Sequence, residues 1–287
     1  MTRWIEEALH GDFRVKLKAA TILYEGKSAH QHIVVFDNRT FGRTLALDDI
    51  VQTTEADEFI YHEMLVHVPV FAHGAVRSVL IVGGGDGGAL EELLKHQAID
   101  RVAMVEIDAA VVEVSRRWLS SICGDAFADS RLELVIGDGV EFVANRDETF
   151  DLIIVDSTDP VGPGTSLFTG AFYESCKRRL RPGGVLVTQS GVPFLQGEGL
   201  THTAALLKPI FADVACYLTT VPTYTGGVMA LGWASDDATL SALSVTTLAA
   251  RYRTADIETR HYRPEVHMAA FVLPPYLRAL LDRPPLA

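Results

Sequence analysis

The spacing of apolar positions along the chain changes near residue 72. Before that point, short β-rich runs such as "HIVVF", "RTLALD" and "IVQTT" alternate with turns of Gly, Asn and Asp, a pattern that predicts hairpin strands. The stretch "ADEFIYHEMLVHVPVFAH" instead has apolar residues at helical spacing and predicts a helix that ends at Pro69. We therefore predict a small β-rich domain over residues 1–72.

After residue 72, near-continuous apolar strands alternate with helices. The strands are "RSVLIVGG", "RVAMVEID", "RLELVIGDG", "FDLIIVDSTD" and "VLVTQSG". Apolar strands that alternate with helices are typical of a doubly wound, mostly parallel sheet with helices on both faces. Residues 73–287 are therefore expected to form a second domain, and the fold class is α/β.

The first of these strands leads into a glycine turn, "LIVGGGDGGALEEL", with glycines at 83, 85 and 88. This spacing alone is shared by dehydrogenases and methyltransferases. Asp86 lies inside the turn. Its carboxylate would repel a pyrophosphate about 4 Å away by about 4 kcal/mol at an effective dielectric of 20. The turn therefore favours a nucleoside ligand without phosphate and with a positive group, such as a sulfonium nucleoside. The alternative is that Asp86 only caps the following helix.

Acidic residues also stand at the ends of the next three strands. Glu106 is placed to bind ribose hydroxyls, and Asp138 either accepts from an adenine amine or caps the next helix. Asp156 and Asp159 precede a loop rich in Pro and Gly. This pair could bind a metal, hold a cation, or act as base and anchor, and the alternative is an Asx-turn. A cationic amine is the best partner, because Mg²⁺ normally also requires phosphates or more oxygen ligands.

Composition narrows the class of ligand. The net charge of −12 disfavours nucleic acid and anionic membranes as partners and permits cationic ligands. No apolar run reaches the roughly 18 residues of a membrane span. Three widely spaced cysteines without a CxxC pair argue against a zinc site or disulfides and favour a reducing cytoplasm. We expect no metal and no resident cofactor.

Motifs over nearly the whole chain resemble those of the spermidine synthases, or polyamine aminopropyltransferases. They are "HQ" at 30–31, "LALDDIVQTTEADEFIYHEM", "GGGDGG", "MVEID", "IGDG", "DSTDPVGPGTSLFT", "FYESCKRRLRPGG" and "PTYTGG". The resemblance implies a small N-terminal β-domain followed by a methyltransferase-like Rossmann domain. It also implies transfer of an aminopropyl group from decarboxylated S-adenosylmethionine to putrescine, giving spermidine and 5′-methylthioadenosine. Family members usually form homodimers or homotetramers.

The resemblance also implies roles for residues on the donor side. The donor nucleoside would contact Gln31, its ribose Glu106, and its adenine Asp138 with Gly139. Pro163 would line the adenine pocket.

Further roles are implied around the transferred aminopropyl group and the acceptor. Asp86 would take the donor's terminal ammonium, and Asp156 would be the general base. His62 would lie along the polyamine groove. Asp159, Tyr61 and Tyr224 would orient or bind the acceptor amine. Gln52 is a further candidate for contact with the far end of the acceptor.

Two positions depart from the family pattern. Ala56 stands where many members have Arg, and Thr225 follows Tyr224 where relatives often carry Tyr or Pro. Both lie near the acceptor side, so they leave the choice of diamine open. An S-adenosylmethionine-dependent methyltransferase, a dehydrogenase and a non-catalytic polyamine-binding protein are the alternative functions.

Overall fold

The computed structural model describes residues 3–160 and 162–283, without the side chains of residues 162 and 163. Its N-terminal part consists of antiparallel strands in two sheets, with orders β1-β2 and β3-β4-β5-β6. The predicted β-rich N-terminal part is therefore confirmed. The six strands are β1 Arg3–His10, β2 Phe13–Ala19, β3 Thr21–Lys27, β4 His32–Asn38, β5 Gly42–Leu47 and β6 Ile50–Thr54.

Helix α1, Glu58–His73, continues through Pro69. The expectation that Pro69 ends the helix is wrong. Proline lacks one helical hydrogen bond, but this residue is buried in the core, where packing offsets that loss. The helix ends at Gly74, whose φ of 77° is left-handed and whose N–H donates to the carbonyl of Val70 at 2.9 Å. Glycine is favoured there because it has no Cβ to clash.

The second part is built on a seven-stranded sheet of order β12-β13-β11-β10-β7-β8-β9. The pairs from β11 to β9 are parallel, and both pairs that involve β13 are antiparallel. This is the predicted mostly parallel, Rossmann-like sheet. The strands are β7 Ser78–Gly83, β8 Arg101–Glu106, β9 Leu132–Ile136, β10 Phe150–Asp156, β11 Leu180–Gln189, β12 Asp213–Thr219 and β13 Met229–Ser235. The remaining helices are α2 Gly88–Leu94, α3 Ala109–Trp118, α4 Ser120–Cys123, α5 Gly139–Asn145, α6 Gly170–Arg179, α7 Pro193–Leu207, α8 Val245–Ala255, α9 Pro264–Ala270 and α10 Pro275–Asp282.

The two faces of the sheet carry separate hydrophobic clusters. Val79 and Ile81 of β7 pack on the side of α1, α2 and α8, whereas Leu80 and Val82 pack on the side of α5, α6 and α7. Successive side chains of a strand point to opposite faces, so a continuously apolar strand is what a sheet covered on both faces requires. Each fully buried aliphatic side chain contributes about 1.5–3 kcal/mol.

Helix α1 packs on the large sheet. Met64 and Leu65 belong to the same cluster as Val79 and Ile81 of β7. The domain division at residue 72 stays a prediction, and we propose that the packing of α1 favours a division nearer residue 56. Within the described ranges, the chain has no helix whose length and apolar character would suit a membrane span.

The sheet has a topological switch point between β7 and β10, where the connections from two neighbouring strands run in opposite directions. Strands β7 and β10 are hydrogen-bonded neighbours, with Gly83 opposite Asp156 in register. The chain leaves β7 toward β8 on one side and leaves β10 toward β11 on the other. In doubly wound sheets, ligands bind at the carboxyl ends of the strands where the order reverses in this way.

Candidate active site

A cavity opens at this reversal point, between the large sheet and the N-terminal strands. Six carboxylates line it, and none of the lining residues within the described part is Lys or Arg. A concave, acidic surface of this kind favours cationic ligands. The six are Glu7, Asp86, Glu106, Asp138, Asp156 and Asp159.

The glycine turn is joined to the end of β10. Gly83 and Gly84 have φ values of 87° and 73°. A Cβ on Gly83 would lie 2.1 Å from the Asp156 carbonyl oxygen, and the Gly84 N–H donates to that same oxygen at 2.8 Å. Only glycine permits this backbone contact, so the turn that carries Asp86 is held against the strand end that carries Asp156.

Asp86 contacts both the helix that follows it and a buried histidine. One carboxylate oxygen accepts from the N–H of Gly88, the first residue of α2, at 3.0 Å, and the N-cap position itself is occupied by Gly87. The other lies 3.4 Å from Nε2 of His62. Gly88 leaves space for this pairing, because a Cβ there would lie 2.2 Å from the imidazole ring.

His62 lies behind Asp86, with only 2% of its side chain exposed. It is not among the described residues that line the cavity, so the direct contact with the polyamine groove stays a prediction and the geometry favours action through Asp86. Its Nδ1 lies 2.8 Å from a carboxylate oxygen of Glu58, one helical turn earlier. Burial alone would lower the pKa of His62, but the carboxylates of Asp86 and Glu58 raise it well above its ordinary value. The pKa of Asp86 is lowered, because burial is outweighed by His62 and the Gly88 N–H.

Asp156 has the environment of a general base. Burial raises its pKa to about 6, with a further contribution from the negative charge of Asp86, against opposing effects of His62 and Tyr61. The Tyr61 hydroxyl donates to its Oδ1 at 2.7 Å. A base is most effective when its pKa lies near the working pH, so this raised pKa suits proton transfer better than an ordinary aspartate.

Asp159 stands farther along the same cavity wall. Burial raises its pKa, and a hydrogen bond from Gln196 opposes the shift. The Gln196 amide donates to Asp159 at 2.8 Å and accepts from the Val192 N–H at 2.7 Å. Gln196 has non-helical φ and ψ of −123° and 33° inside α7, which places its side chain between the two partners.

Two neighbouring tyrosines lie on the cavity, Tyr61 bonded to Asp156 and Tyr224 bonded to Gln52. The rings of Tyr61 and Tyr224 meet edge to face with centroids 5.8 Å apart. The Tyr224 hydroxyl donates to the Gln52 carbonyl, and the Gln52 amide donates to the Ile50 carbonyl at 3.1 Å. Both tyrosines and Gln52 line the cavity, so the predicted acceptor residues other than His62 share one surface.

Glu106, which the resemblance predicts to bind the donor's ribose, is buried. Burial raises the pKa of Glu106 to about 7, and the negative charges of Asp108 and Asp156 add to this shift. The Asp108 N–H donates to Glu106 at 2.8 Å, which fixes the carboxylate for a ligand. The Gln31 amide donates to Asp108 at 3.0 Å, and Gln31 also lines the cavity.

The Asp138–Gly139 pair also lies on the cavity. Asp138 caps α5, since its Oδ1 accepts from the Val140 N–H at 2.7 Å, and it lines the cavity as well. The cap and the contact with adenine are therefore compatible. A Cβ on Gly139 would lie 2.4 Å from Val82, so glycine brings the backbone close to the sheet.

Three predicted positions are less informative. The side chain of Pro163 lies outside the described residues. Thr225 lines the cavity, whereas Ala56 is exposed and is not among the described lining residues. Of the two departures from the family pattern, Thr225 is therefore the one that lies on the cavity.

Sequence reasoning missed several lining residues, among them Glu7, His10, Gln189 and Gln196. Glu7 accepts from the Val51 N–H at 3.1 Å, and burial raises its pKa. Glu7 and His10 come from strand β1 near the chain's start and carry no motif. The only signal was the acidic character of this segment, which does not show that β1 lies against the cavity.

His62, Asp86 and Asp156 also form a group with metal-ligand chemistry. One atom from each lies within 4.8 Å of the others. Both nitrogens of His62 already face carboxylates, and a protonated imidazole cannot ligate a metal. The cluster therefore favours an organic cation over a metal ion.

Comparison with known proteins agrees with the motifs and the fold. Residues 58–244 match the family described as "Spermine/spermidine synthase domain", and residues 3–55 match "Spermidine synthase tetramerisation domain". The polyamine aminopropyltransferase of Ruegeria sp. (strain TM1040) is 52% identical over 277 residues, which are 96% of this chain and 98% of the relative. That of Klebsiella pneumoniae (strain 342) is 50% identical over 278 residues, or 97% of each chain.

A solved structure described as spermidine synthase in complex with the transition state analogue AdoDATO superposes with a TM-score of 0.92. It is 36% identical to this chain, and the match covers 98% of this chain and 96% of that one. The identity, the coverage and the fold agree, and the chain belongs to the spermine/spermidine synthase family of polyamine aminopropyltransferases.

Proposed function

We propose that this chain transfers the aminopropyl group of decarboxylated S-adenosylmethionine to putrescine, giving spermidine and 5′-methylthioadenosine. The choice of these substrates rests on one observation. Asp86 and Asp156 approach each other within 4.8 Å beside the glycine turn, on a cavity whose described lining lacks Lys and Arg. Such a surface suits two cationic reactants and disfavours phosphates or carboxylates.

The donor would lie along the ends of β7, β8 and β9. Its adenine would face Asp138 and Gly139, and its ribose hydroxyls would bind Glu106. The terminal ammonium would pair with Asp86. This arrangement places each of these three carboxylates near a hydroxyl, an amine or a positive charge, as a desolvated site requires.

The reaction forms a C–N bond and breaks a C–S bond. The acceptor nitrogen attacks the methylene carbon next to the sulfonium, and sulfur leaves as a neutral thioether with the bonding electron pair. The extra proton on nitrogen passes to Asp156. A primary amine has a pKa of roughly 10.4, so freeing its lone pair near pH 7 costs about 4–5 kcal/mol, and a positioned base contributes about 10²- to 10⁴-fold in rate.

The second ammonium of the diamine would extend toward Asp159 and Gln52. Tyr61 and Tyr224 would hold the attacking end, because the Tyr61 hydroxyl already orients Asp156. A short diamine matches two carboxylates at separate points of one groove, which is why putrescine is the proposed acceptor.

We also propose a homo-oligomer in a reducing cytoplasm. The match of residues 3–55 to a tetramerisation domain supports an oligomer. Trp4 and Phe13 on the β1–β2 hairpin are 53% and 42% exposed, and an interface would cover such side chains. Three free, buried cysteines support the location. Sedimentation analysis would distinguish dimer from tetramer.

The central experiment incubates the protein with the decarboxylated donor and a panel of putrescine, cadaverine, 1,3-diaminopropane and spermidine, with products identified by mass. We expect spermidine from putrescine, and little product with Asp156→Asn. A higher kcat/KM for spermidine than for putrescine would overturn the proposed acceptor. Methylation of an amine from S-adenosylmethionine would favour the methyltransferase alternative.

A further inference from the structure

Asp57 is a buried carboxylate that the proposed mechanism does not use. It is 3% exposed and stands at the N-cap position of α1, one turn before Tyr61. An aspartate at this position ordinarily accepts from an N–H of its own helix, which is worth about 1 kcal/mol. Here the side chain makes no such cap, so its carboxylate is available to other partners.

Those partners come from the end of the preceding strand and from a segment far along the chain. Oδ1 accepts from the hydroxyl of Thr54, the last residue of β6, at 2.6 Å. Oδ2 accepts from both the backbone N–H and the hydroxyl of Thr223, at 2.8 and 2.7 Å. One carboxylate therefore joins the end of the N-terminal sheet, the start of α1 and the loop after β12.

Each joined segment carries a residue of the acceptor side. Tyr224 follows Thr223 directly, Tyr61 lies on α1, and Gln52 lies on β6 two residues before Thr54. The Tyr224 hydroxyl reaches back to the Gln52 carbonyl. The position of the Tyr224 ring relative to Tyr61 therefore depends on a loop whose anchor is Asp57.

We infer that Asp57 is a positioning residue for the acceptor amine: by holding Thr223 it sets the spacing of Tyr61 and Tyr224 beside Asp156. This inference rests on the proposed function of the same cavity. It concerns the acceptor alone, because Glu106, Asp138 and the glycine turn make their contacts without Asp57.

Two substitutions separate the effect of the Asp57 hydrogen bonds from the effect of its negative charge. Asp57→Ala removes all three bonds, and we expect the KM for putrescine to rise about tenfold or more, since bonds to a charged acceptor are the stronger ones. Asp57→Asn keeps a carbonyl oxygen for Thr223 and an amide that can donate to the Thr54 hydroxyl, so it should restore KM to within about threefold. Donor affinity, measured by calorimetry, should stay within about twofold in both.

Asp151 supplies a matched control. Like Asp57 it is buried and accepts hydrogen bonds, here from the backbone N–H groups of Arg77 and Ser78 at 2.8 and 2.9 Å. It lies near the amino end of β10, away from the cavity. Asp151→Ala should lower the melting temperature about as much as Asp57→Ala but leave the putrescine KM unchanged.

Thr223→Val provides a milder variant in case Asp57→Ala fails to fold. It removes the hydroxyl bond and keeps the N–H bond, so we expect about a two- to fivefold rise in the putrescine KM. An unchanged KM in Thr223→Val and Asp57→Ala, or an equal rise in Asp151→Ala, overturns the inference while leaving the proposed function intact. If the wild-type protein forms no spermidine, the proposed function itself fails.

Discussion

Nε2 of His62 lies 3.4 Å from a carboxylate oxygen of Asp86, and the two side chains are 2% and 14% exposed. Because Glu58 holds the other ring nitrogen, the imidazole is fixed between two carboxylates. Asp86 therefore meets its ligand with part of its charge already balanced. The donor's ammonium would bind to an Asp86 that is both ionised and oriented, which reduces the reorganisation needed on binding.

Replacing Glu58 by Gln tests whether this pairing keeps His62 protonated. The pKa of His62, measured by NMR titration, should lie above its ordinary value of about 6.5 in the wild type and fall in the variant. Glu174→Gln, on the exposed face of α6, is the control and should leave it unchanged. An ordinary pKa for His62 in the wild type would contradict the pairing.

The same pairing predicts how stability depends on pH. The pKa of His62 is higher in the folded than in the unfolded protein, so the native state binds an extra proton between the two values. The stabilisation from this pairing is therefore fully present below about pH 6.5 and is lost as the pH rises through the folded-state pKa. Glu58→Gln should cost about 1.5–3 kcal/mol near pH 6 and progressively less at alkaline pH. Urea unfolding at a series of pH values measures this difference, and a constant difference would contradict the assignment.

Asp156→Asn should lower turnover by about 10²- to 10⁴-fold, because the amide cannot accept the amine's proton. Donor affinity should change little, since the proposed donor contacts are those of Glu106, Asp138 and Asp86. Turnover is measured from spermidine formation and affinity by calorimetry. Near wild-type turnover in this variant would show that Asp156 is not the base.

The rate should also follow the ionisation of Asp156. Its pKa is raised to about 6, and only the unprotonated form accepts a proton. kcat/KM should therefore increase as the pH rises through about 6, in addition to any change from the amine's own ionisation at higher pH. A pH profile of the residual activity of Asp156→Asn should lack this acid limb.

Asp86 should discriminate between two related donors. S-adenosylmethionine carries an additional carboxylate, and like charges about 4 Å apart repel by about 4 kcal/mol at an effective dielectric of 20. Half of that corresponds to roughly 30-fold weaker binding than the decarboxylated donor. Calorimetry should show this preference in the wild type and a smaller one in Asp86→Asn. Equal affinities in the wild type would refute the charge argument.

Local sequence was sufficient to predict those parts of the candidate site that lie at the end of one strand or in the turn that follows it. The glycines around Asp86, and the acids that end β8, β9 and β10, occupy strand ends. Parallel strands bring those ends to one edge whatever the details of packing. The alternation of strands and helices likewise predicts the sheet, because continuously apolar strands must be covered on both faces.

The tertiary structure alone decided which distant segments meet. The contacts of Glu7 with the cavity, of Asp57 with Thr223, and of His62 with Asp86 depend on how the N-terminal strands and α1 dock on the sheet. The course of α1 through Pro69 was decided in the same way, since burial outweighed the local cost of a proline. Spacing along the chain records local geometry, whereas these contacts arise from packing energies summed over residues far apart in sequence.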